Sequence, residues 1–305
     1  MPEYIKDIEL NKALDKKITD RKNSFTTKTN NRSWQRNSER DKEILMDQAT
    51  VLNEMKRLAV LAGDAIMKIY ATDFDVDYKA DESPLTQADK NANAVIVEGL
   101  AKLCPEYAIL SEEVKDDKSR MSNDYCFIVD PLDGTKEFVK RNGEFTVNIA
   151  LVYKQKPILG VIFVPVTKDL YYASTEKGSF KQSGENGSVV KLSVSDKTEN
   201  LIWVGSKSHS SEKEAALIEA HKDIISETIS AGSSLKGCMV AEAKADVYYR
   251  FGLTCEWDTA AMQCITEQAG AVFMQMDNTP MLYNRENTLN EKGFYIVNRK
   301  ENIWV

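Results

Sequence analysis

The sequence predicts mixed sheets covered by helices, in α/β or α+β layers. Three observations carry this. A long amphipathic helix pattern opens the body of the chain, a strand-rich stretch fills its middle, and strands alternate with helices in its last third.

The opening pattern is set by Leu52, Met55, Leu58, Ala59, Ala62, Ala65, Ile66 and Ile69, which recur at helical spacing up to about Tyr70. Phe74, Val76 and Tyr78 alternate with Asp75 and Asp77, the period of a short strand. Thr86 is placed to cap a second helix, with Asp89 in its first turn and Ala94, Val95, Val97 and Leu100 on its apolar face. Two strands with a buried character follow, Tyr107–Leu110 and Cys126–Asp130, and then Thr146–Tyr153, Ile158–Val164 and Leu170–Ser174 between polar turns. Strand patterns then recur at Leu201–Gly205, Val247–Tyr249, Val272–Gln275 and Phe294–Val297. Helical patterns fall at Glu212–His221, Leu235–Ala243 and Asp258–Ala269.

Residues 1–45 read differently. They are polar and lysine-rich, and the stretch Asn23–Asn37 is mostly Ser, Thr, Asn and charge. We read residues 1–45 as a disordered N-terminal extension with one short helix near Ile8–Ile18, and residues 46–305 as the folded domain. Eight acidic residues in the extension argue against a transit peptide, and the N-terminus carries no signal pattern. No apolar run reaches the roughly 18–20 residues of a membrane span.

The net charge of −7 is uneven: residues 1–45 hold 11 Lys+Arg and 8 Asp+Glu, the rest 29 and 39. An acidic body argues against nucleic-acid binding and suits a protein that gathers carboxylates around metal ions. The five cysteines, Cys104, Cys126, Cys238, Cys255 and Cys264, form no CxxC pair and read as free thiols of a reducing compartment. Only two histidines are present, His209 and His221, which excludes HExxH and three-histidine zinc sites. His221 reads as a solvated residue on a polar helix. No GxSxG, Walker A or GxGxxG motif occurs.

What remains is a set of carboxylates with turn chemistry around them. Asp130-Pro131-Leu132-Asp133-Gly134-Thr135 follows a buried strand and precedes a helix. Two carboxylates on such a turn can face one point, and a helix start after a glycine offers free N–H groups to a phosphate. Magnesium takes hard oxygen ligands, and a shared Asp between two ions is what two-metal phosphoryl transfer requires. The plain alternative is an acidic surface turn. Ser111-Glu112-Glu113 ends the neighbouring strand and offers another carboxylate, or is a surface pair. Asp258, in Trp257-Asp258-Thr259-Ala260-Ala261, either caps its helix or reaches inward to a metal. Asp89 is either a first-turn helix acid or the group that orients the Thr135 hydroxyl toward an attacking water.

DPLDGT (130–135), the upstream SEE (111–113) and the downstream WDTAA (257–261) together resemble the inositol monophosphatase superfamily of lithium-sensitive magnesium phosphatases. The resemblance runs from about Asp47 to the C-terminus. Within the superfamily the chain is most similar to the 3'(2'),5'-bisphosphate nucleotidase branch. The stretches that carry this are ADESPLTQAD (80–89), ILSEE (109–113), the run from Asp130 to Val152, PILGVIFVPV (157–166), SKSH (206–209), GSSLK (232–236) and RFG (250–252). Lys136-Glu137-Phe138 stands where the inositol branch more often has TNF.

The resemblance implies a layered α-β-α-β-α sandwich, with a metal-binding half (46–195) and a substrate-binding half (196–305). It implies two or more Mg2+ ions, inhibition by Li+, and metal ligands from Glu112, Asp130, the Leu132 carbonyl, Asp133 and Asp258. Asp89 and Thr135 become the pair that activates water, and Gly134 and Thr135 receive the phosphate to be cleaved. His209, Ser233, Lys236 and Arg250 match positions that contact the second phosphate or the base region. The implied reaction is hydrolysis of the 3'-phosphate of 3'-phosphoadenosine 5'-phosphate to AMP and phosphate, in sulfur assimilation, with the 5'-phosphosulfate as a second substrate. The alternatives are an inositol or sugar-phosphate phosphatase of the same superfamily, and a catalytically silent phosphate binder. A complete carboxylate set argues against the last. A cytoplasmic protein is expected. Peripheral contact with the cytoplasmic face of the inner membrane is left open, although a net +3 over 45 residues is weak beside known lipid-binding clusters. Oligomeric state is not legible.

Overall fold

The computed structural model describes residues 47–72, 76–78, 84–207 and 211–305, with backbone alone at 76–78 and 84–86. The reading of residues 1–45, the helix near Ile8–Ile18 and His209 lie outside the described residues.

Helix α1 (Gln48–Tyr70) begins where the Asp47 carboxylate accepts the N–H of Ala49, and buries Val51, Leu52, Met55, Leu58, Ala59, Ala62 and Ile66. A two-stranded ribbon, β1 (Val76–Tyr78) and β2 (Pro84–Thr86), leads into α2 (Gln87–Leu103), which packs on α1. The large sheet comprises β3 (Ala108–Ser111), β4 (Tyr125–Asp133), β5 (Thr146–Tyr153), β6 (Lys156–Val164), β7 (Asp169–Ser174), β8 (Gly178–Gln182) and β9 (Val189–Lys191), in that spatial order. Only β3 and β4 pair in parallel; the remainder form antiparallel hairpins. The short helix α3 (Thr135–Val139) interrupts the β4–β5 connection.

The second sheet has the order β11-β10-β12-β14-β13, built from β10 (Leu201–Ser206), β11 (Ile225–Ala231), β12 (Val247–Arg250), β13 (Val272–Gln275) and β14 (Phe294–Val297). Its helices are α4 (Glu212–Ala220), α5 (Leu235–Ala241) and α6 (Glu256–Gln268). Helices α1 and α2 cover one face of the large sheet. Helices α5 and α6 fill the space between the sheets, and α4 lays Leu217 and Ile218 on the far face of the second sheet. This is the expected α-β-α-β-α sandwich. The central core joins Cys126, Ile128, Ala150 and Ile162 of one sheet to Tyr248, Phe294 and Ile296 of the other through Ala260, Ala261, Cys264 and Ile265 of α6. Truncating a side chain such as Ile265 there costs about 2–5 kcal/mol. No helix among the described residues is long and apolar enough to cross a membrane.

Four strands escape the sequence pattern, β2 among them. β8 and β9 carry little apolar alternation, and β11 is an edge strand whose burial is slight until Ala231. β9 and β11 are edge strands, which bury one face at most, so the period-2 signal fades; β8 lies inside its sheet but carries one large apolar residue, Phe180. Helix α5 ends at Ala241, short of the predicted Ala243, which turns out of the helix at φ 59°. Helix α6 starts at Glu256, two residues before the predicted Asp258. His221 is not simply solvated. Its ring stacks on Trp304 at 4.1 Å between centroids, and its Nδ1 lies 2.9 Å from the Leu217 carbonyl. The five cysteines are free, and all but Cys255 are buried.

Candidate active site

The site forms where β3 and β4 end beside the first turn of α6. Ser111 pairs in parallel with Val129, so Glu112 emerges next to Asp130, its N–H donating to the Val129 carbonyl at 3.2 Å. Along β4 the side chains of Cys126, Ile128 and Asp130 alternate onto the face turned to α6. Asp133, three residues on, would point to the opposite face in a regular strand. A bulge prevents this: Asp130 pairs with Asn148 and Asp133 with Thr146, so three steps on β4 answer two on β5. The extra residue returns Asp133 to the same face as Asp130. The Leu132 N–H donates to Asp130 Oδ1 at 3.1 Å and closes the turn.

Gly134 then takes φ 94°, and a Cβ there would lie 3.2 Å from the Glu144 carbonyl, which explains the glycine. Thr135 opens α3, its hydroxyl donating to the Leu132 carbonyl at 3.4 Å. Asp258 serves both readings that the sequence left open. Its Oδ2 accepts the N–H of Cys255 as a capping group. It also offers an oxygen that, with one from Asp130 and one from Asp133, forms a set lying within 4.8 Å of one another.

A cleft of about 300 Å³ gathers Glu112, Asp130, Leu132, Asp133, Gly134, Thr135, Ser233, Lys236, Arg250 and Asp258, all named from the sequence. Asp89 is not on its wall. It is buried in the first turn of α2, close enough for its charge to be felt at Asp130, and no hydrogen bond joins it to Thr135. The Lys236 ammonium is buried and donates to the carbonyls of Ser233 at 2.6 Å and Ala231 at 3.3 Å. Arg250, at the end of β12, is also buried. Ser233 holds φ 45°, and its buried hydroxyl has no hydrogen-bond partner. A strained backbone with an unsatisfied donor on a cleft wall is a feature that a bound anion would relieve.

The electrostatics are those of a crowded and desolvated carboxylate cluster. Asp130 is held well above the ordinary carboxylate range, first by burial and then by Glu112, Asp133, Asp258 and Asp89. Asp133 and Asp258 keep some exposure through the cleft mouth but lie at its floor. Asp133 is raised by burial against the hydrogen bond from Ser234 and the charge of Lys236. Asp258 is pushed up to about 8 by burial and by Asp133, despite the Cys255 N–H. Lys236 is lowered, chiefly by burial. Oxygen donors this close and this desolvated match the donor set of hard divalent cations.

Sequence reasoning missed three polar side chains behind the cluster. Ser234 donates to Asp133 Oδ2 at 2.7 Å, Asn148 donates to the same oxygen at 3.2 Å, and Thr146 donates to Asn148 Oδ1 at 2.9 Å. All three are buried. The signal was present for Asn148, a lone amide in the apolar strand Val147–Val152.

The acidic set is of the kind that can hold a metal ion, and a family model described as the inositol monophosphatase family matches residues 47–303. The chain belongs to that family. It is 41% identical to the 3'(2'),5'-bisphosphate nucleotidase CysQ of Salmonella typhimurium over 81% of this chain and 99% of the relative. It is 42% identical to that of Escherichia coli K12 over the same shares. The crystal structure of CysQ from Bacteroides thetaiotaomicron matches with TM-score 0.73 and 41% identity, covering 82% of this chain and 98% of that one. Inositol monophosphatase from Anabaena, at 23% identity and TM-score 0.65, shares the fold.

Proposed function

We propose that this chain is a magnesium-dependent 3'(2'),5'-bisphosphate nucleotidase that hydrolyses the 3'-phosphate of 3'-phosphoadenosine 5'-phosphate to AMP and phosphate. The observation that carries the reading is a single cleft with a carboxylate cluster on its floor and the guanidinium of Arg250 on its wall. One group suits cations bound to a phosphate; the other suits a second phosphate on the same small molecule. The 41–43% identity to CysQ nucleotidases points the same way.

In this reading Glu112, Asp130, the Leu132 carbonyl, Asp133 and Asp258 hold two or more Mg2+ ions. When bound, these supply charge neutralisation at the phosphate and ease deprotonation of water. Gly134 and Thr135 present backbone N–H groups to the phosphate, and Ser233 adds its hydroxyl. Asp89 and Thr135 are the pair assigned to the attacking water, an assignment that requires the Thr135 hydroxyl to leave the Leu132 carbonyl and turn toward the buried Asp89. Arg250 and Lys236 set the positive wall for the 5'-phosphate, and His209 is assigned a nucleotide contact by its place in the sequence motif. Residues 46–195 form the metal-binding half and residues 196–305 the substrate-binding half. Li+ inhibits by competing for the carboxylates. The enzyme is cytoplasmic and clears the nucleotide by-product of sulfate activation.

The test is phosphate release with Mg2+ from 3'-phosphoadenosine 5'-phosphate and from inositol 1-phosphate, each with and without Li+. Lithium-sensitive preference for the nucleotide is the expected result. Preference for the inositol ester would overturn the substrate and leave the metal site standing. Asp133→Asn is expected to abolish turnover, and near-normal activity in that variant at modest Mg2+ would sink the metal assignment.

A further inference from the structure

The donors behind Asp133 form a chain with one consistent polarity. The Asp133 carboxylate is an acceptor only, so the Asn148 amide turns its NH2 toward it and its Oδ1 to the Thr146 hydroxyl, which donates at 2.9 Å and also lies 3.5 Å from Asp133 Oδ2. The two Asn148 N–H groups then point to Asp133 Oδ2 at 3.2 Å and to Ser234 Oγ at 2.9 Å. With its oxygen accepting from Asn148, the Ser234 hydroxyl donates to Asp133 Oδ2 at 2.7 Å. Two side-chain donors therefore converge on one oxygen of Asp133. Ser234 Oγ also lies 3.1 Å from the main-chain carbonyl of Asp258.

The members come from separate elements. Thr146 and Asn148 lie on β5, opposite Asp133 and Asp130, whereas Ser234 lies in the turn between β11 and α5. The turn is itself braced: the Lys236 ammonium holds the Ala231 and Ser233 carbonyls, and the Glu144 carboxylate accepts the N–H of Gly232 at 2.8 Å. Ser234 thus touches both the Asp133 carboxylate and the backbone of Asp258.

We propose that Thr146, Asn148 and Ser234 are positioning residues for cation binding: they saturate Oδ2 of Asp133, so that its other oxygen is presented together with Asp130 and Asp258. This deepens the proposed function and rests on its metal reading. Such supporting hydrogen bonds change metal affinity or activity by about 10–100-fold when removed.

The test uses Mn2+ as the probe, its free-ion paramagnetic resonance signal being titrated with the full-length protein without substrate. Wild type, Asp133→Asn, Ser234→Ala, Ser234→Thr and Asn148→Ala are compared, each checked for folding by thermal melting. Ser234→Ala and Asn148→Ala are expected to weaken Mn2+ binding about 10-fold or more, and Ser234→Thr, which keeps the hydroxyl, to recover most of it. The same variants should raise the Mg2+ concentration for half-maximal phosphate release, with kcat largely recovered at saturating Mg2+. Mn2+ binding that is lost in Asp133→Asn but unchanged in Ser234→Ala and Asn148→Ala would overturn the positioning role alone. Mn2+ binding that is indifferent to Asp133→Asn would overturn the metal reading, and the positioning role with it.

Discussion

Gly160 sets how closely the helix bearing Asp258 can approach the sheet bearing Asp130 and Asp133. It lies in the middle of β6, paired with Ala150 on one side and Ala173 on the other, so a row of three small residues crosses the sheet. Helix α6 settles into that row with Ala260, Ala261 and Cys264. A Cβ at position 160 would stand 2.7 Å from the Ala261 carbonyl oxygen and 2.9 Å from Cys264 Cβ, where ordinary contact begins near 3.4 Å. Gly160→Ala therefore forces α6 outward by roughly half an ångström, since the obstruction is helix backbone and no rotamer change relieves it. Overpacking of this kind costs about 1–3 kcal/mol. In a unit of this size that lowers Tm by roughly 2–10 °C.

Asp258 sits one turn before Ala261, so the same displacement moves a carboxylate of the cluster. The expected result in circular-dichroism melting is a lower Tm, accompanied by a higher Mg2+ requirement for phosphate release. Gly205→Ala is the control, because its Cβ would come no nearer than 3.4 Å to any neighbour. A Gly160→Ala protein that melts and responds to Mg2+ like the wild type would refute the claim that helix–sheet spacing sets the site.

Mg2+ should raise Tm with a saturating concentration dependence, because an ion that binds only the folded state adds about 2.7 kcal/mol at one hundred times its Kd. Asp130→Asn should reduce that increment while leaving the fold intact, as judged by far-UV circular dichroism. Arg250→Ala should raise KM for 3'-phosphoadenosine 5'-phosphate by about 10-fold or more, the worth of a charge-assisted hydrogen bond, and change turnover of inositol 1-phosphate far less. Asp116, hydrogen-bonded by the buried Arg120 at 2.8 Å, is held below its ordinary 3.8 mainly by that contact. Its stabilisation is therefore complete above that value and disappears as pH falls through the lower folded value. Asp116→Asn should cost roughly 1–3 kcal/mol near neutral pH and much less at pH 3, read as the difference in urea midpoints.

Much of the architecture was legible because it rests on local chemistry. The α1 stripe, the apolar run from Cys126 to Val129 and the glycine after Asp133 each state their structure within a few residues. The carboxylate set was legible too, since Glu112 and Asp130 end adjacent strands and Asp133 follows on one turn. What was hidden depended on pairing between distant segments. The bulge opposite Asn148 and Thr146 decides which way Asp133 faces, and no residue of 130–135 alone announces it. Ser234 gave no signal beside Ser233, because its role is defined by Asn148, 86 positions away, and by Asp133, 101 away. β11 was hidden for a related reason: as an edge strand it owes its place to β10, not to its own pattern.

The two basic residues named from the sequence separate on the same physical grounds. Lys236 shares the cleft with Arg250, yet its ammonium already has two carbonyl partners below the Ser233 turn, and desolvation works against its charge. A cation held in that way cannot swing to meet a phosphate without abandoning buried carbonyls, which costs about 1–3 kcal/mol per group left unsatisfied. Its position suits bracing of the Gly232–Ser234 turn and a fixed positive field at Asp133, whose carboxyl its charge lowers. Arg250, at the end of β12, lines the same cleft and is also buried. Within the proposed function, Lys236 therefore shapes the turn that carries Ser233, and Arg250→Ala is the variant that tests recognition of a second phosphate.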